Sequence, residues 1–289
     1  MKALAKLKQD LELIKDLGGV IDAFKTAALV QFCFFQGKEK LNADYLKELE
    51  AGFKLLIERK VSSPYLAVNE GLPQGIVIIT SDEGFLGELN ILCINAAFER
   101  KQSDRDEIII LGERGARYLE DRGDRFVFFP GITETIDSNE SQKIINYLLS
   151  RYNKKFGRII IVSPEFISLT SQRISVFPFL PYSFSSSKLD IGKKMGDILI
   201  EPFIRRVINS LVHLWMDYKL LEIFSSAKQA EFAARIMHLE GSTQELNVVS
   251  KKVTLSYFKQ VHALSDKAIR EISATKILLK KKVGLSGAF

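Results

Sequence analysis

Apolar side chains recur at alternating three- and four-residue steps along the N-terminal segment of the chain. The segment from residue 1 to about residue 62 contains no proline and is rich in Leu, Lys, Glu and Ala, which favours helix. A heptad spacing predicts a coiled coil with a second helix, and a long amphipathic helix packed on a globular core is the alternative. The apolar positions are Leu4, Leu7, Leu11, Ile14, Ile21, Ala28, Phe32 and Phe35, with Gly18 and Lys25 in the two remaining places.

The pattern changes between residues 74 and 187, where short β-branched runs alternate with helical stretches. Strands are predicted at 75–81, 107–112, 125–129 and 158–162, and helices at 88–102, 113–122 and 139–152. Strand alternating with helix predicts a Rossmann-like α/β domain whose mostly parallel sheet is covered on both faces. The serine-rich run 182–188 is predicted to be an exposed loop.

Helical patterning returns from about residue 193 to residue 283. A continuous helix of this length would extend on the order of 130 Å, at about 1.5 Å per residue. Such a helix must extend beyond a compact domain, although Gly241 could divide it into two helices. Two apolar seams are predicted within it, the first at Val207, Leu211, Leu214, Tyr218 and Leu221, and the second at Val253, Tyr257, Val261, Leu264 and Ala268.

These segments predict an α/β fold combined with a coiled coil, in which long antiparallel N- and C-terminal helices flank an inserted α/β domain. The predicted parts are an N-terminal coiled-coil helix at 1–62, an α/β foot domain at 74–187, a C-terminal coiled-coil helix at 193–283 and a flexible tail at 284–289. Each terminal helix carries an apolar stripe that the α/β domain is too small to cover. Burying the two stripes against each other stabilises the pair by about 25 cal/mol per Å².

The charge distribution indicates acidic partners, because the net charge is +6 and the region 251–282 holds nine Lys or Arg and only two acids. A solvated helical face is the simpler explanation of that basic region. Cys33 and Cys93 lack metal-ligand spacing and are expected to be reduced, buried thiols. No segment is expected to reach the run of about 18 apolar residues that a membrane span needs, so we expect a soluble protein that partners can hold at a membrane surface.

The loop 81–87 lies between a predicted strand and a predicted helix, where a phosphate-binding loop would lie. It has neither a G-x-G-x-x-G series nor a P-loop lysine, and Asp82 and Glu83 would repel a phosphate. We therefore expect Asp82 to cap the helix that follows, the glycines to form turns, and no cofactor to bind.

Other catalytic patterns are missing from the sequence as well. The three histidines are far apart, and neither a G-x-S-x-G elbow nor a metal-ligand cluster occurs. We therefore expect no catalytic residues and no metal site, which favours a structural or coupling role.

Four stretches match known sequence motifs in a fixed order that spans nearly the whole chain. The run 79–90, with Asp82, Gly84, Gly87 and Asn90, is similar to the motif S/T-D-R-G-L-C-G-G-L-N. The runs 111–115 and 159–172 resemble an I-G-x-K/R-G turn and a Y-x-x-F-I/V-x-x-x-x-Q run. The run 231–243 resembles E-x-x-x-R-x-x-A-M-x-x-A-T through Glu231, Arg235, Leu239 and Thr243. Together these stretches resemble the gamma subunits of F-type ATP synthases.

The resemblance implies a central rotor stalk that couples ion flow to ATP synthesis or hydrolysis and performs no chemistry itself. The terminal helices would be the coiled coil that enters the ring of alpha and beta subunits. The α/β domain would be the foot that sits with the epsilon subunit on the membrane rotor ring, the c-ring. A shaft without threefold symmetry would bias each catalytic interface in turn. The implied location is peripheral, at the cytoplasmic face of the inner (cell) membrane.

The chain departs from the family where its shaft meets the catalytic ring. The family's I-T-x-A-M is Val20 to Phe24 here, and its R-G-L-C-G-G is Glu83 to Glu88. Its N-x-x-R-Q and I-T-Q-E are 258–262 and 265–268, so its known ring contacts cannot be carried over. The residues at or near these positions remain ring-contact candidates: Val20, Phe24, Lys259, Val261, His262, Asp266 and Lys267.

Alternative interpretations remain open at this point. The departures are consistent with a sodium-translocating rotary ATPase or a paralogous rotor of another ATPase machine. An α/β enzyme with helical extensions would need a phosphate loop, which is missing. A coiled-coil adaptor could bind acidic partners or nucleic acid through the basic helix, with salt-sensitive binding, whereas the rotor interpretation expects no nucleic acid.

Overall fold

The computed structural model describes residues 2–57, 63, 65–66, 69–133, 138–182 and 203–285. Within them the helices are α1 (Lys2–Ile57), α2 (Leu89–Arg100), α3 (Glu113–Arg122), α4 (Ser138–Arg151) and α5 (Ile204–Leu285). The strands are β1 (Gln74–Ile79), β2 (Glu107–Leu111), β3 (Phe126–Phe129), β4 (Arg158–Ser168) and β5 (Ser171–Leu180). The last residues of the predicted N-terminal helix (58–62), the serine-rich run 183–188, the start of the C-terminal helix at 193–202 and the tail residues 286–289 lie outside the described residues.

The five strands form one mixed, mostly parallel sheet in the order β3-β2-β1-β4-β5. β1 pairs in parallel with both β2 and β4, β2 pairs in parallel with β3, and β5 runs antiparallel to β4. The predicted parallel sheet is therefore confirmed. The sequence patterns missed β5, whose strand alternates polar residues such as Ser171 and Arg173 with apolar ones and contains Pro178. Proline is tolerated there because β5 is an edge strand.

Both faces of the sheet are covered, because alternate residues of each β-branched strand point to opposite sides. On one face, Ile76 and Ile78 of β1 pack with Cys93 and Ile94 of α2 and with Leu119 of α3. On the other face, β1 contributes Val77 and Ile79 to a cluster that includes Leu148 of α4 and residues of α1 and α5. This three-layer arrangement confirms the α/β prediction.

The first predicted seam of the C-terminal helix was partly wrong. Leu214, one of its five members, is exposed, whereas Val212, Trp215 and Met216 are fully or almost fully buried. The reason is that this part of α5 faces the sheet rather than a lone helix: the Trp215 ring lies 5.8 Å from that of Phe179 on β5. A broad sheet surface selects a wider face of a helix than the narrow stripe of a coiled coil.

The chain forms two compact units: unit 1 comprises Met1–Lys25 and Leu239–Phe289, and unit 2 comprises Thr26–His238. In unit 1, α1 and α5 pair antiparallel, since Lys25 Nζ lies 2.6 Å from Glu240 Oε2 and a methyl group on Gly18 would lie 3.6 Å from Leu246 Cδ2. Gly241 does not interrupt α5, which is one helix of 82 residues. The predicted antiparallel terminal helices are therefore confirmed.

Every place of the heptad seam of α1 is either half-buried or buried. Leu4, Leu7, Leu11, Ile14, Gly18, Ile21 and Lys25 are half-buried in unit 1, and Ala28, Phe32 and Phe35 are buried in unit 2. In unit 2, Phe35 stacks on Phe232 of α5 with ring centres 5.7 Å apart. The same seven-residue spacing therefore continues through two environments: the helix pair of unit 1 and the packed core of unit 2.

The second predicted seam of α5 ends earlier than expected. Val253, Tyr257 and Val261 are half-buried, whereas Leu264 and Ala268 are exposed, as is every residue from 262 to 276. In the antiparallel register set by Lys25 and Glu240, the start of α1 lies opposite the region of residue 262. Leu264 and Ala268 therefore lie beyond the stretch of α5 that pairs with Lys2–Lys25 of α1.

Two other expectations change with the structure. Cys93 is buried, and burial raises its pKa to about 12, so its thiol stays protonated at neutral pH. Cys33 is exposed, contrary to the expectation of two buried thiols. The stretch Ala3–Gly37 is long and apolar enough to cross a membrane by length and composition alone, although little of it is buried.

Candidate functional site

The loop that joins β1 to α2, residues 80–88, lies at the carboxyl edge of the sheet beside the end of β2. Thr80 donates from its backbone N–H and its hydroxyl to the Leu111 carbonyl, at 2.9 and 2.6 Å. A Cβ on Gly112 (φ +100°) would lie 2.4 Å from the Thr80 carbonyl oxygen, so only glycine fits this approach. Asn90 closes the loop on Ser81, donating to its hydroxyl at 2.9 Å and accepting from its N–H at 3.2 Å.

Asp82 caps α3 and not α2, which corrects the sequence-based expectation. Its Oδ1 accepts a hydrogen bond of 2.8 Å from the N–H of Glu113, the first residue of α3. α2 begins after Glu88 without a side-chain cap. The parallel pairing of β1 and β2 makes this possible, because it brings the two βα loops together at one edge. The loop is thereby tied to a second helix.

Arg235 of α5 reaches into this loop. Its Nη2 lies 3.0 Å from Glu83 Oε2 and donates to Glu231 Oε1 at 2.8 Å, and its Nε donates to the Gly84 carbonyl oxygen at 3.3 Å. The structure thus brings together two motifs that the sequence singled out separately, one around Asp82 and Gly84 and the other around Glu231 and Arg235. They are about 150 residues apart in the chain.

The charges around Arg235 alternate in sign. Lys228 Nζ donates to Glu231 Oε2 at 2.9 Å, so the order is Lys228, Glu231, Arg235, Glu83. The three helix residues are almost completely buried, and the Glu83 side chain is 69% exposed. Because burying an unpaired charge is costly, the pairing of both cations and both carboxylates is what permits this burial.

An apolar layer accompanies the ionic contacts. Leu86 and Leu89 pack on Ala234 of α5, with Ile174 of β5 at the edge of the cluster. The cavity left between the loop and α5 is about 10 Å³, and it borders Ser81, Asn90 and Glu231. Pockets for small molecules are typically about 300–1,000 Å³, so this cavity is far smaller than a nucleotide would need.

The turn glycines have different surroundings. Gly87 has φ +58°, a conformation that glycine adopts readily, whereas Phe85 has φ +63° and is half-exposed. A Cβ on Gly84 would come within 3.2 Å of the Arg114 guanidinium. The positive φ of Gly87 supports the prediction that the glycines form turns. Gly84 has a different role, because its carbonyl oxygen accepts a hydrogen bond from Arg235.

The remaining shaft-motif residues lie in unit 1. Leu239 is buried, and Thr243 donates its hydroxyl to the Leu239 carbonyl at 3.0 Å along the same helix. Between them, Glu240 pairs with Lys25, which raises the pKa of Lys25 and lowers the pKa of Glu240, chiefly through their hydrogen bond. A charged residue on an otherwise apolar seam favours one register of two helices.

Of the ring-contact candidates, Val20 and Phe24 of α1 are half-exposed, and Lys259, His262, Asp266 and Lys267 of α5 are exposed. Val261 is half-buried at a seam position instead. Further large apolar side chains of unit 1 are also exposed: Leu13, Leu17, Val248, Leu255, Phe258, Ile269 and Ile272.

Sequence reasoning did not assign roles to Lys228, Glu240 or the Glu83 carboxylate. Lys228 and Glu231 are three residues apart on one helix, a spacing that allows pairing and could have been noticed. Glu240 could have been matched to Lys25 only with the antiparallel register in hand. Glu83 carried no such signal, because its partner comes from a distant part of the chain.

Comparisons with known proteins agree with this architecture. A family model described as ATP synthase matches residues 3–274. The ATP synthase gamma chain of Clostridium pasteurianum is 28% identical over 226 residues, covering 75% of this chain and 79% of that one. The ATP synthase gamma chain of Clostridium botulinum strain Loch Maree is 24% identical over 244 residues, covering 81% and 85%.

Solved structures share the fold at low sequence identity. The rotor of the Euglena gracilis mitochondrial ATP synthase, in rotational state 1, has a TM-score of 0.64 at 13% identity and covers 91% of this chain and 99% of that one. The central stalk and c-ring structure of Tetrahymena thermophila mitochondrial ATP synthase has a TM-score of 0.58 at 14% identity, covering 78% and 99%.

Proposed function

Since the chain belongs to the gamma-chain family of ATP synthase, we propose that it is the central stalk subunit of a rotary ATP synthase. In this role it couples ion flow through a membrane rotor ring to ATP synthesis or hydrolysis in other subunits. The chain itself contributes packing and electrostatic contacts, and the catalytic groups belong to its partners.

The observation that carries this proposal is the antiparallel pairing of α1 and α5 in unit 1. The pairing begins near Lys2 of α1, while α5 continues past residue 262. Because α1 and α5 are different helices, the axle that they form has no threefold symmetry. An asymmetric axle inside a ring of alternating alpha and beta subunits presents a different surface to each catalytic interface. Each orientation then favours one conformation of the interface it touches, which is how a ligand or partner shifts a population.

The exposed apolar side chains of unit 1 support insertion into such a ring. Val248, Leu255 and Ile269 follow one another on α5 at steps of seven and fourteen residues, so they lie near one face of the helix. Leu13, Val20 and Phe24 give α1 a comparable exposed apolar surface. Several exposed apolar side chains on one helix face mark a contact with another protein or with a membrane. Basic residues such as Lys259 and Lys267 lie among these apolar residues of α5, which suits contact with a protein ring that has acidic loops.

The proposed partners follow from the same role. The paired helices contact the alpha and beta subunits, and the sheet region contacts the epsilon subunit and the c-ring. The chain is then peripheral to the membrane, at the cytoplasmic face of the cell membrane, and is held there by its partners. The ring-contact candidates are Val20, Phe24, Lys259, Val261, His262, Asp266 and Lys267.

Co-expression with the alpha and beta subunits of the same organism tests the proposal. An affinity tag on this chain should recover alpha and beta in a ratio of one to three to three, and the complex should hydrolyse ATP. Phe24→Asp together with Ile269→Asp should lower the recovery, because both charges would enter the apolar contact. The matched control, Asp104→Asn on an exposed turn of unit 2, should leave it unchanged. Recovery of this chain alone under all conditions would contradict the proposal.

A further inference from the structure

We propose that Arg235 and Glu83 form a directional connection that, beside the apolar packing of α5 on the sheet, transmits torque from α5 to the sheet region of unit 2. The proposal rests on the rotor function proposed above and adds a positioning role for these two residues. A rotor must transmit rotation between its shaft helix and its α/β region without slipping. In unit 2 the two kinds of contact between α5 and the β1–α2 loop differ in what they resist.

The apolar layer resists separation of the loop from α5. Leu86, Leu89 and Ala234 form a small cluster of nondirectional contacts. Such a cluster loses little when one surface slides or turns slightly against the other. It therefore keeps the loop on the helix, but it sets no strong preference for the rotational position of the helix about its own axis.

The guanidinium of Arg235 provides that preference, because its bonds are directional. Its Nε donates to the Gly84 carbonyl at 3.3 Å, while Nη2 lies 3.0 Å from Glu83 Oε2 and 2.8 Å from Glu231 Oε1. The group is planar, and its donors lie in a fixed fork. A turn of α5 about its axis moves the fork sideways relative to the loop and lengthens these bonds.

The rotational position of the fork on α5 is itself fixed. Glu231 holds Arg235 from one turn away, and Lys228 holds Glu231 from the next turn, along one face of the helix. The Arg235 guanidinium also lies 5.2 Å from the centre of the Phe232 ring. Because Lys228, Glu231 and Arg235 are nearly completely buried, water does not compete for these contacts.

The loop is equally well fixed on the sheet side. Thr80 bonds to the end of β2, Asp82 to the start of α3 and Ser81 to Asn90 of α2. A displacement of Glu83 or Gly84 is therefore passed to a strand and two helices. The directional contacts between the loop and the helix therefore converge on one arginine that is supported on both sides, which is the arrangement that a torque-bearing link needs.

Inverted membrane vesicles that contain the whole complex provide the test. ATP hydrolysis is measured as phosphate release, and ATP-driven transport is measured with a potential-sensitive dye, which responds to either a proton or a sodium ion. Glu83→Gln keeps the size of an exposed side chain, and Arg235→Lys keeps the buried charge but loses the fork. The matched control is Glu165→Gln, which weakens an Arg–Glu contact of 2.8 Å to Arg173 that lies wholly within the β4–β5 hairpin.

We expect Glu83→Gln and Arg235→Lys to assemble and hydrolyse ATP normally but to lower transport per ATP by about two- to fivefold, the range of a partly exposed ion pair. The double variant should be no worse than the more severe single one, because both act on one link. Glu165→Gln should match the wild type. A wild-type transport ratio in Glu83→Gln overturns the inference, and so does a parallel fall of hydrolysis, transport and subunit content, which indicates a purely structural pair. If the unaltered complex shows no ATP-driven transport, the rotor proposal itself fails.

Discussion

Replacing Phe35 with alanine tests the packing of α1 on α5 most severely. Phe35 is completely buried, and its ring stacks on Phe232 at 5.7 Å within a cluster that also contains Ala28 and Ile236. An aromatic side chain buries about 150–250 Å², which at about 25 cal/mol per Å² corresponds to about 4 to 6 kcal/mol. Measured truncations of buried Phe to Ala cost about 3–5 kcal/mol. We therefore expect Phe35→Ala to lower the free energy of unfolding of unit 2 by about 4 kcal/mol.

The assay is urea unfolding of the full chain, followed by the fluorescence of Trp215. This residue is the chain's single tryptophan and lies in the core of unit 2, so its signal reports on that unit. For a folding unit of this size, the loss corresponds to a fall in melting temperature of about 8–16 °C. The neighbouring Phe34→Ala is the matched control, because Phe34 is 50% exposed and should cost no more than about half as much. Equal costs for the two variants would refute the assignment of the seam.

Four further predictions concern Gly241, Gly131, the Lys25–Glu240 pair and the end of α5. Gly241→Ala should raise the melting temperature by stabilising the chain by about 0.5–1 kcal/mol, because the site is helical and a methyl group would touch nothing within 4 Å; a decrease would point to a kink at this position. Gly131→Ala should cost about 1 kcal/mol in thermal unfolding, since its methyl would lie 2.3 Å from Asp82 Oδ2 and displace the α3 cap; after Asp82→Ala the same substitution should cost clearly less. The Lys25–Glu240 pair stabilises the two helices between pH 4.5 and pH 10.5, the ordinary pKa values of Glu and Lys, because pairing lowers the pKa of Glu240 and raises that of Lys25. The difference in unfolding free energy between the wild type and Lys25→Met should vanish as the pH falls through the Glu240 pKa. A difference that stays constant with pH would exclude the pair as its cause. Removing the residues after 272 should reduce ATP-driven transport more than hydrolysis in vesicles, and equal losses would argue against a coupling role for this segment.

The heptad of α1 could be predicted at every position because a seven-residue repeat is a local property of the chain. Even its exceptions had structural meaning: Lys25 pairs with Glu240, and Gly18 faces Leu246. The parallel strands were equally visible, since β1 and β2 are short β-branched runs buried on both faces.

The errors came from partners that lie far away in sequence. Leu214 fits a coiled-coil spacing, but the sheet buries the face that contains Trp215 instead. Leu264 also fits, but it lies beyond the stretch of α5 that pairs with α1 and is exposed. Asp82 precedes α2 and has the residue type of a cap, yet it caps α3 because parallel pairing places that helix beside it. The sequence therefore indicates which residues fit a seam or a cap. Which residues they contact depends on the register of the two helices and on the order of the strands in the sheet.

As a central stalk subunit, this chain is expected to turn within a ring of catalytic subunits. A fluorescent label on Asp104→Cys, in a chain with Cys33→Ser and with the buried Cys93 retained, can follow that motion in a surface-fixed complex. We expect the label to turn stepwise in one direction whenever ATP is hydrolysed, and to stop when hydrolysis is inhibited. Steady ATP hydrolysis with a motionless label on this chain would contradict it.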